Sequence, residues 1–509
     1  MTFPRSSNGH IALNSVLNFG GLLVPLVVGV VSIPYVVKGL GVDSFGILSL
    51  CWMLLGYFTL FDLGLGRATT KFIARELQNG STDRVRGLFW TSFWMNLILG
   101  LVGSVIIAGL APVLSHSVFR IPQNLVEVAG DSFLLLAFSC PAILITTAFR
   151  GALEAAQRFE YVNAVAVVSS SLTFLLPVAG LLMGFGVRGI VILLMISKIC
   201  SGMAYLLLCF KVFPVLKKGV SPDLEDIRRM LPYGGWISVS NLVQPVLAYL
   251  DRFLIGATIS IAAVSYYSAP FEMVTRISIL PASLAMTLFP SFSGVDSGAS
   301  EEIANLYSRS VKFLLILLAP LVVLLIVFAR EILRLWLGVE FAEISVVVMQ
   351  VLAAGVFLNS LAQIPTVLIL GLGRPDIPAK FHLLELLLYV PLVWILVRNF
   401  GIAGGAVAWS IRVAIDTLLL FVASGKFVSV RSFLGHGLKR GISVVVILVS
   451  AMLLSLVLPV GLAVKLPTVA AIVVAFGIVS WRFVLDPAER DLVTSTARSL
   501  AARAGGASS

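Results

Sequence analysis

Charged side chains are scarce in this sequence. Of its 509 residues, 12% are charged and 59% are hydrophobic, whereas a soluble globular domain has about 25% charged residues. The mean hydropathy is +1.04. This composition excludes an ordinary soluble fold, and it predicts a chain that lies mostly inside a lipid bilayer.

Motifs for nucleotide and metal chemistry are also missing. The sequence has no G-x-x-x-x-G-K-[ST] phosphate loop, no H-E-x-x-H motif, no C-x-x-C pair and no nucleophile elbow. Its four cysteines and four histidines are widely scattered, and we interpret the cysteines as small buried apolar residues. An ATP-driven pump is therefore not expected. The same absences predict that the protein is not an enzyme and that it needs no cofactor or metal.

Long apolar runs recur along nearly the whole sequence, and each is long enough to cross the hydrocarbon core of a membrane. They predict an all-α polytopic membrane protein with about fourteen transmembrane helices. No cleavable signal peptide is expected, because the first run is too long and lacks a small-residue cleavage site. The predicted spans are 12–36, 45–63, 88–114, 131–153, 162–183, 189–212, 231–255, 262–292, 311–331, 345–370, 381–398, 401–424, 440–459 and 463–484.

Positive charges concentrate on one side of these predicted spans. The sequence has 36 Lys and Arg against 25 Asp and Glu, a net charge of +11. With the amino terminus placed in the cytoplasm, most of the Lys and Arg fall in cytoplasmic loops, notably around 67–86 and 211–229. This bias predicts a bacterial inner-membrane protein with both termini in the cytoplasm. Topology thus accounts for the net charge, and no nucleic-acid partner is predicted.

Two short motifs recur about 215 residues apart. GFGV at 184–187 returns as NFGI at 399–402, and FGG at 19–21 returns as YGG at 233–235. The duplication predicts a carrier built from two six-helix bundles, related by a pseudo-two-fold axis along the membrane normal and enclosing a cleft. The predicted parts are an N-terminal bundle at 1–212, a cytoplasmic connector at 213–230, a C-terminal bundle at 231–425, two further helices at 426–485 and a cytoplasmic tail at 486–509.

Each copy of the first motif opens an apolar helix with one cation near mid-depth, Lys198 in the first and Arg412 in the second. A charge at the bilayer centre costs about 2.5–3.5 kcal/mol on insertion scales and therefore indicates a function. Lys198 has no acid three or four positions away, and its depth disfavours the alternative of snorkelling to an interface. Arg412 has Asp416 one turn later, so a structural ion pair and a ligand contact are both open there.

Further polar residues within the spans complete the candidate site. Glu272 and Arg276 lie one helical turn apart, whereas Asp251 and Arg252 are adjacent and alternatively mark a span boundary. The least compensated charge is a cation, which favours an anionic cargo such as a phosphate or diphosphate. The predicted substrate contacts are Lys198, Arg412, Arg276, Arg252, Asn18 and Asn241, and the predicted coupling or gating residues are Glu272, Asp416, Asp251, Asp62 and Arg67.

Several segments also resemble a known family. LGVDSFG at 40–46, DLGLG at 62–66, KFIAR at 71–75, LDRFLIG at 250–256 and AVSYYSA at 263–269 are similar to the polysaccharide-biosynthesis (oligosaccharide flippase) proteins. These belong to the multidrug/oligosaccharidyl-lipid/polysaccharide exporter superfamily. The resemblance extends over nearly the whole chain and includes the fourteen-span layout.

The resemblance implies a flippase that moves undecaprenyl-diphosphate-linked oligosaccharide to the periplasmic leaflet, with Lys198 and Arg412 in a cationic cavity. The implied partners are this lipid-linked oligosaccharide, membrane lipid, a polysaccharide polymerase and glycosyltransferases. Drug and cation antiporters share the fold, so they remain an alternative. A lipid II flippase is the second alternative, and an intramembrane glycan-handling enzyme is the third.

Overall fold

The structure is a computed structural model, and it describes residues 24–25, 27–220, 222–293, 300–427 and 462–487, with 442, 445, 446, 449, 489–491 and 494 as further positions. Helices occupy most of these ranges, and no β-strand occurs within them. Inside a bilayer no water is available to hydrogen-bond the backbone. A helix suits this environment because its N–H and C=O groups form hydrogen bonds with each other. The predicted all-α membrane fold is confirmed.

The helices of the first half of the described chain differ widely in length because turns and 3₁₀ segments interrupt them. A 3₁₀ segment at Phe58–Asp62 follows α2, and Leu63 and Gly64 then adopt left-handed backbone conformations before α3 begins. The helices are α1 (Val27–Leu40), α2 (Val42–Tyr57), α3 (Leu65–Gln78), α4 (Thr82–Val113), α5 (Val126–Ala137), α6 (Cys140–Ala155), α7 (Phe159–Leu182), α8 (Val187–Val212), α9 (Leu224–Thr258) and α10 (Ile261–Thr275).

The second half includes two short helices between longer ones. α13 and α14 are only 8 and 6 residues long, and they follow a long apolar helix. The helices are α11 (Ile279–Ser293), α12 (Ser300–Val327), α13 (Ala329–Trp336), α14 (Val339–Ile344), α15 (Val346–Gly371), α16 (Asp376–Ser424) and α17 (Leu462–Val479).

Among the described residues, 8 helical segments are long and apolar enough to cross a membrane, judged by length and composition. Most of the predicted spans 12–36 and 440–459 lie outside the described residues. The count of fourteen spans therefore stays a prediction. The segments are Thr82–Val118, Gln123–Ala155, Phe159–Leu182, Val187–Val212, Ile303–Val327, Val346–Gly371, Asp376–Ser424 and Ala463–Val484.

One predicted span is interrupted in the structure, and one predicted break between spans is confirmed. The single span predicted at 262–292 is two helices, α10 and α11, separated by a 3₁₀ turn at Arg276–Ser278. The boundary predicted between the spans 381–398 and 401–424 is confirmed, because two helices meet within α16 at Gly401, whose backbone (φ 61°, ψ −142°) is not helical. Glycine has no Cβ, so it adopts this conformation without the steric penalty that other residues meet.

The contacts divide the chain into two compact units, Met1–Arg276 with His382–Trp409, and Ile277–Phe381 with Ser410–Ser509. Helix α16 therefore contributes residues to both. The five parts predicted from the sequence follow the internal repeat and the predicted spans. The division by contacts does not test them, so they stay a prediction. The pseudo-two-fold relation and the cytoplasmic termini likewise stay predictions.

In the first unit, α4 and α6 pack closely, with α3 and α8 beside them. The rings of Phe89 on α4 and Phe149 on α6 stack with their centroids 5.5 Å apart. The Tyr205 hydroxyl on α8 donates a hydrogen bond of 3.0 Å to the Val162 carbonyl on α7. These contacts hold α6, α7 and α8 around the site described below.

The second unit has its own apolar core, formed mainly by α11, α12 and α15. Tyr307 on α12 is buried and its hydroxyl lies 2.8 Å from the Ser424 hydroxyl at the end of α16. Lys312 on α12 is also buried, and its Nζ lies 2.6 Å from Oε2 of Glu489. This buried ion pair attaches the segment that follows α17 to α12.

Helices α2 and α10 approach closely at Gly46, where an added Cβ would lie 2.2 Å from the Ile261 carbonyl oxygen. We expect Gly46→Ala to destabilise the protein by roughly 1–3 kcal/mol, because overpacking forces backbone shifts. The measurement is thermal unfolding of the purified protein in detergent. The control is Gly109→Ala on α4, where an added Cβ meets nothing within 4 Å. That change should be neutral or stabilising by up to about 1 kcal/mol through helix propensity, and equal unfolding temperatures would contradict the expected difference.

Candidate functional site

The first unit contains a polar cavity of about 430 Å³, lined by residues of α2, α6, α7, α8 and α10. Aromatic side chains form part of its wall, namely Trp52, Phe174 and Tyr205. The charged residues in the wall are Arg150, Lys198 and Glu272. Hydroxyl groups form much of the remainder, from Thr146, Thr147, Ser169, Ser170, Thr173 and Ser201.

Lys198 on α8 lies in this wall and points toward α7. Its ammonium lies 3.5 Å from the Ser169 hydroxyl and 3.4 Å from the Thr173 hydroxyl. The two hydroxyls are four residues apart and so share one face of α7. No carboxylate of the described residues lies within 4.0 Å of the ammonium. Its charge is therefore solvated by hydroxyl dipoles but is not neutralised.

Glu272 on α10 is the acid of the cavity wall, and two arginines contact it. Its Oε2 lies 2.9 Å from Nη2 of Arg276, and its Oε1 lies 3.5 Å from Nη2 of Arg252. The Arg276 guanidinium also lies 5.0 Å from the centroid of the Phe174 ring. The predicted one-turn pair of Glu272 and Arg276 is therefore present, and Arg252 joins it from α9.

Asp251 does not reach the cavity. It is fully buried, accepts a short hydrogen bond from the Tyr267 hydroxyl and accepts another from the Arg252 backbone N–H at 2.7 Å. Arg252 is also buried, with Phe271 4.2 Å and Tyr249 5.4 Å from its guanidinium carbon. Both residues are buried within α9, and their alternative role as markers of a span boundary stays a prediction.

A second cavity of about 390 Å³ adjoins the first, since Thr147 and Arg150 line both. Asp62 and Arg67, predicted as gating residues, lie in its wall with Glu154. Asp62 accepts a hydrogen bond of 2.7 Å from the Thr147 hydroxyl. Arg150 and Glu154 form an ion pair of 2.7 Å in the same wall. This second cavity thus has charges of both signs.

The remaining candidates lie elsewhere or outside the described residues. Arg412 and Asp416 are half-buried on α16, in the second unit. Asn18 lies outside the described residues, as does the side chain of Asn241 on α9. The first unit brings together Lys198, Glu272, Arg252 and Arg276. A shared site for Lys198 and Arg412 stays a prediction.

Sequence reasoning missed the hydroxyl-bearing wall. Ser169, Ser170 and Thr173 lie within one helical turn of each other on α7, and Thr146 and Thr147 are adjacent on α6. Hydroxyls clustered on one face of an apolar span are the signal that points to a polar cavity. The signal is weak, because serine and threonine also donate hydrogen bonds to the carbonyl four residues earlier in the same helix.

These helices and this cavity define a multi-pass membrane protein with a polar, partly cationic chamber in one of its compact units. A family model described as polysaccharide biosynthesis protein matches residues 13–296. The chain belongs to this family, which confirms the resemblance found in the sequence.

A Shigella flexneri protein named for O-antigen transport is 29% identical over 422 residues, covering 81% of this chain and 96% of the relative. Among solved structures, the lipid II flippase MurJ in an inward-closed conformation has a TM-score of 0.72 at 13% identity, covering 92% of this chain and 99% of that one. An inward-facing multidrug resistance MATE family transporter of the MOP superfamily has a TM-score of 0.67 at 18% identity, covering 80% and 94%. At these identities the structural likeness shows the fold alone.

Water in the cavity can be tested with a cysteine at Ser170, which lines it. In a Cys200→Ser background, which removes the exposed native cysteine, we expect Ser170→Cys to react with a charged thiol reagent added to both sides of membrane vesicles. The thiolate that reacts needs water to form. The control is Val168→Cys on the same helix, where the native side chain is 59% exposed but lies outside the cavity wall. Equal labelling at both positions would contradict a water-filled chamber.

Proposed function

We propose that the protein is a flippase for undecaprenyl-diphosphate-linked oligosaccharide repeat units, which it moves across the bacterial cytoplasmic membrane for export of a surface polysaccharide. Family membership and the fold shared with transporters support this proposal. It is a transporter and not an enzyme. In this proposal both termini lie in the cytoplasm, and a polymerase and glycosyltransferases act on the same lipid-linked glycan.

The single observation that carries the proposal is the environment of Lys198. This ammonium lies in the cavity wall, where its hydrogen-bond partners among the described residues are two hydroxyls, and it therefore retains a strong attraction for an anion. Phosphate oxygens form strong charge-assisted hydrogen bonds with such a group. Lys198 would hold the diphosphate, and Arg412 is the proposed second cation. The hydroxyl-rich wall offers donors and acceptors to the first sugars.

The same chemistry argues against a transporter of cationic drugs. Such a cargo needs an acid that faces the cavity with its charge available. Glu272 is the acid in the wall of the first cavity, and two arginines already contact it. A drug antiporter has the same fold, so its test is efflux of ethidium by vesicles that contain this protein. A lipid II flippase would use the same diphosphate site, and the glycan distinguishes it.

Alternating access would carry the headgroup across while the lipid tail stays in the bilayer. The membrane potential supplies about 2.3 kcal/mol per elementary charge per 100 mV. Ion coupling, where present, would need an acid that can bind a proton or a sodium ion. Asp416 and Glu272 are the proposed coupling residues, with Asp62 and Arg67 as gating residues in the second cavity.

Lys198→Ala should lower surface polysaccharide export in a complemented deletion strain. Loss of one charge-assisted contact costs about 1.5–3 kcal/mol, or roughly 10–100-fold in affinity. Lys198→Arg should retain most of the export because it keeps the charge. The control is Lys211→Ala, which removes a cation from the C-terminal end of the same helix, where Lys211 lies over the Tyr161 ring. Normal export by Lys198→Ala cells with normal protein levels would refute the assignment of this site.

Asp416→Asn should reduce the response of transport to an imposed proton or sodium gradient. Coupling free energies are about 1–3 kcal/mol, which is a 5–150-fold effect. The measurement is transfer of a lipid-linked oligosaccharide across proteoliposomes with each gradient applied in turn. Glu340→Gln, an exposed position on α14, is the control. If Asp416→Asn and Glu272→Gln both keep the wild-type ion dependence, neither residue couples transport to an ion.

A further inference from the structure

Glu272 lies between two arginines that differ in their access to the cavity. Its carboxylate contacts Arg276 at 2.9 Å and Arg252 at 3.5 Å. The Arg252 side chain is 5% exposed and that of Arg276 is 25% exposed. One acid therefore serves two guanidinium groups, and its shorter contact is with the more accessible one.

Arg252 is incompletely paired in this arrangement. Its Nε and Nη2 atoms are buried and have no hydrogen-bond partner among the described residues. The 3.5 Å contact with Glu272 is an ion pair that lacks hydrogen-bond geometry. Since a buried charge is stabilised only by close, well-directed partners, Arg252 can accept a closer approach by the Glu272 carboxylate.

Arg276 is the arginine that an anion in the cavity would meet next. It contacts Glu272 and Phe174, and both of these residues line the cavity. Arg276 itself is not among the residues that line the cavity. If the Glu272 carboxylate moved toward Arg252, the Arg276 guanidinium would lose its partner and face the cavity that contains Lys198.

We infer that Glu272 is an internal competitor for the anionic cargo. Glu272 pairs with Arg276, and an entering phosphate or diphosphate group displaces it from that arginine. Glu272 then pairs with Arg252, while the cargo binds Arg276 in addition to Lys198. This inference rests on the proposed anionic cargo, and it assigns Arg276, which Glu272 contacts at 2.9 Å, to the binding site.

After the exchange each of these charges has a partner of opposite sign. A guanidinium binds a phosphate group through two parallel hydrogen bonds, so the cargo is a good substitute for the carboxylate it replaces. Arg252 gains the partner that Arg276 gives up. The anion therefore enters without leaving an unpaired charge in the wall, and an anion too small to reach both Arg276 and Lys198 gains less.

The test measures binding of inorganic pyrophosphate to the purified full-length protein by isothermal titration calorimetry. Glu272→Gln removes the competitor and keeps a similar side-chain shape, so we expect pyrophosphate to bind at least tenfold more tightly. Arg276→Gln alone should weaken binding by less than tenfold, because the wild-type protein gains the Arg276 contact only by breaking the Arg276–Glu272 pair. In the Glu272→Gln, Arg276→Gln double variant the tenfold gain should be lost.

The double-mutant cycle separates competition from a general change in charge. If Glu272 acted only by long-range electrostatic repulsion of the anion, Glu272→Gln would still tighten pyrophosphate binding in the Arg276→Gln background. That result would overturn the inference. An unchanged affinity in Glu272→Gln would overturn it as well. Glu160→Gln is the control, because it also removes one carboxylate from an arginine pair (Arg158–Glu160, 3.3 Å) but lies outside both cavity walls.

Thermal unfolding establishes that each variant is folded before titration. Glu272→Met, which has a similar shape and no charge, replaces Glu272→Gln if the latter does not purify. The proposed function is tested separately, by measuring pyrophosphate binding and polysaccharide export with the Lys198→Ala variant. If pyrophosphate binding depends on Lys198 but not on Glu272, the inference that Glu272 competes with the cargo is rejected, and the flippase proposal stands. If binding and export are both independent of Lys198, the proposed cargo site fails too.

Discussion

A positive charge among apolar helices must be solvated by its neighbours, and for Lys198 these neighbours are hydroxyl groups. Ser169 and Thr173 lie 3.5 and 3.4 Å from its ammonium, which requires α7 and α8 to pack side by side. The turn at Gly184 (φ 78°) joins these two helices. Because hydroxyl dipoles stabilise an ammonium less than a carboxylate does, the group keeps a strong attraction for an anion. The cavity, its polar wall and the proposed cargo all depend on this arrangement.

The other intramembrane charges of the first unit form a more balanced group. Asp251 is held by the Tyr267 hydroxyl and by the Arg252 backbone, and Glu272 is divided between two arginines. Such a network limits the cost of burying several charges together. It also leaves Glu272 with two possible partners a short movement apart. An open cation beside an acid with two partners is an arrangement in which an anion can bind by exchange.

Much of the fold follows from composition and periodicity. Apolar runs separated by basic loops predict a polytopic helical membrane protein, and the lone Lys198 in one run is visible without a structure. The pairing of Glu272 with Arg276 follows from their helical spacing. The contact of Glu272 with Arg252 does not, because the two residues lie on different helices, α9 and α10. The hydroxyl-bearing wall could not be predicted either, because a threonine with a purely structural role makes the same local hydrogen bond. Thr173, for example, donates to the Ser169 carbonyl at 3.0 Å.

The sequence by itself determined the all-α membrane class and the identity of the charges within the spans, since both depend on how many residues of each type lie in each run. Tertiary structure alone decided the contacts between helices, such as that of Glu272 with Arg252 and those of Lys198 with the hydroxyls of α7. Those outcomes depend on distances of 3 to 4 Å between side chains of different helices, and such distances are set by helix packing. The break at Arg276–Ser278 belongs to the same category, because backbone packing determines where a long apolar run bends, whereas the break at Gly401 matches the boundary predicted from the sequence.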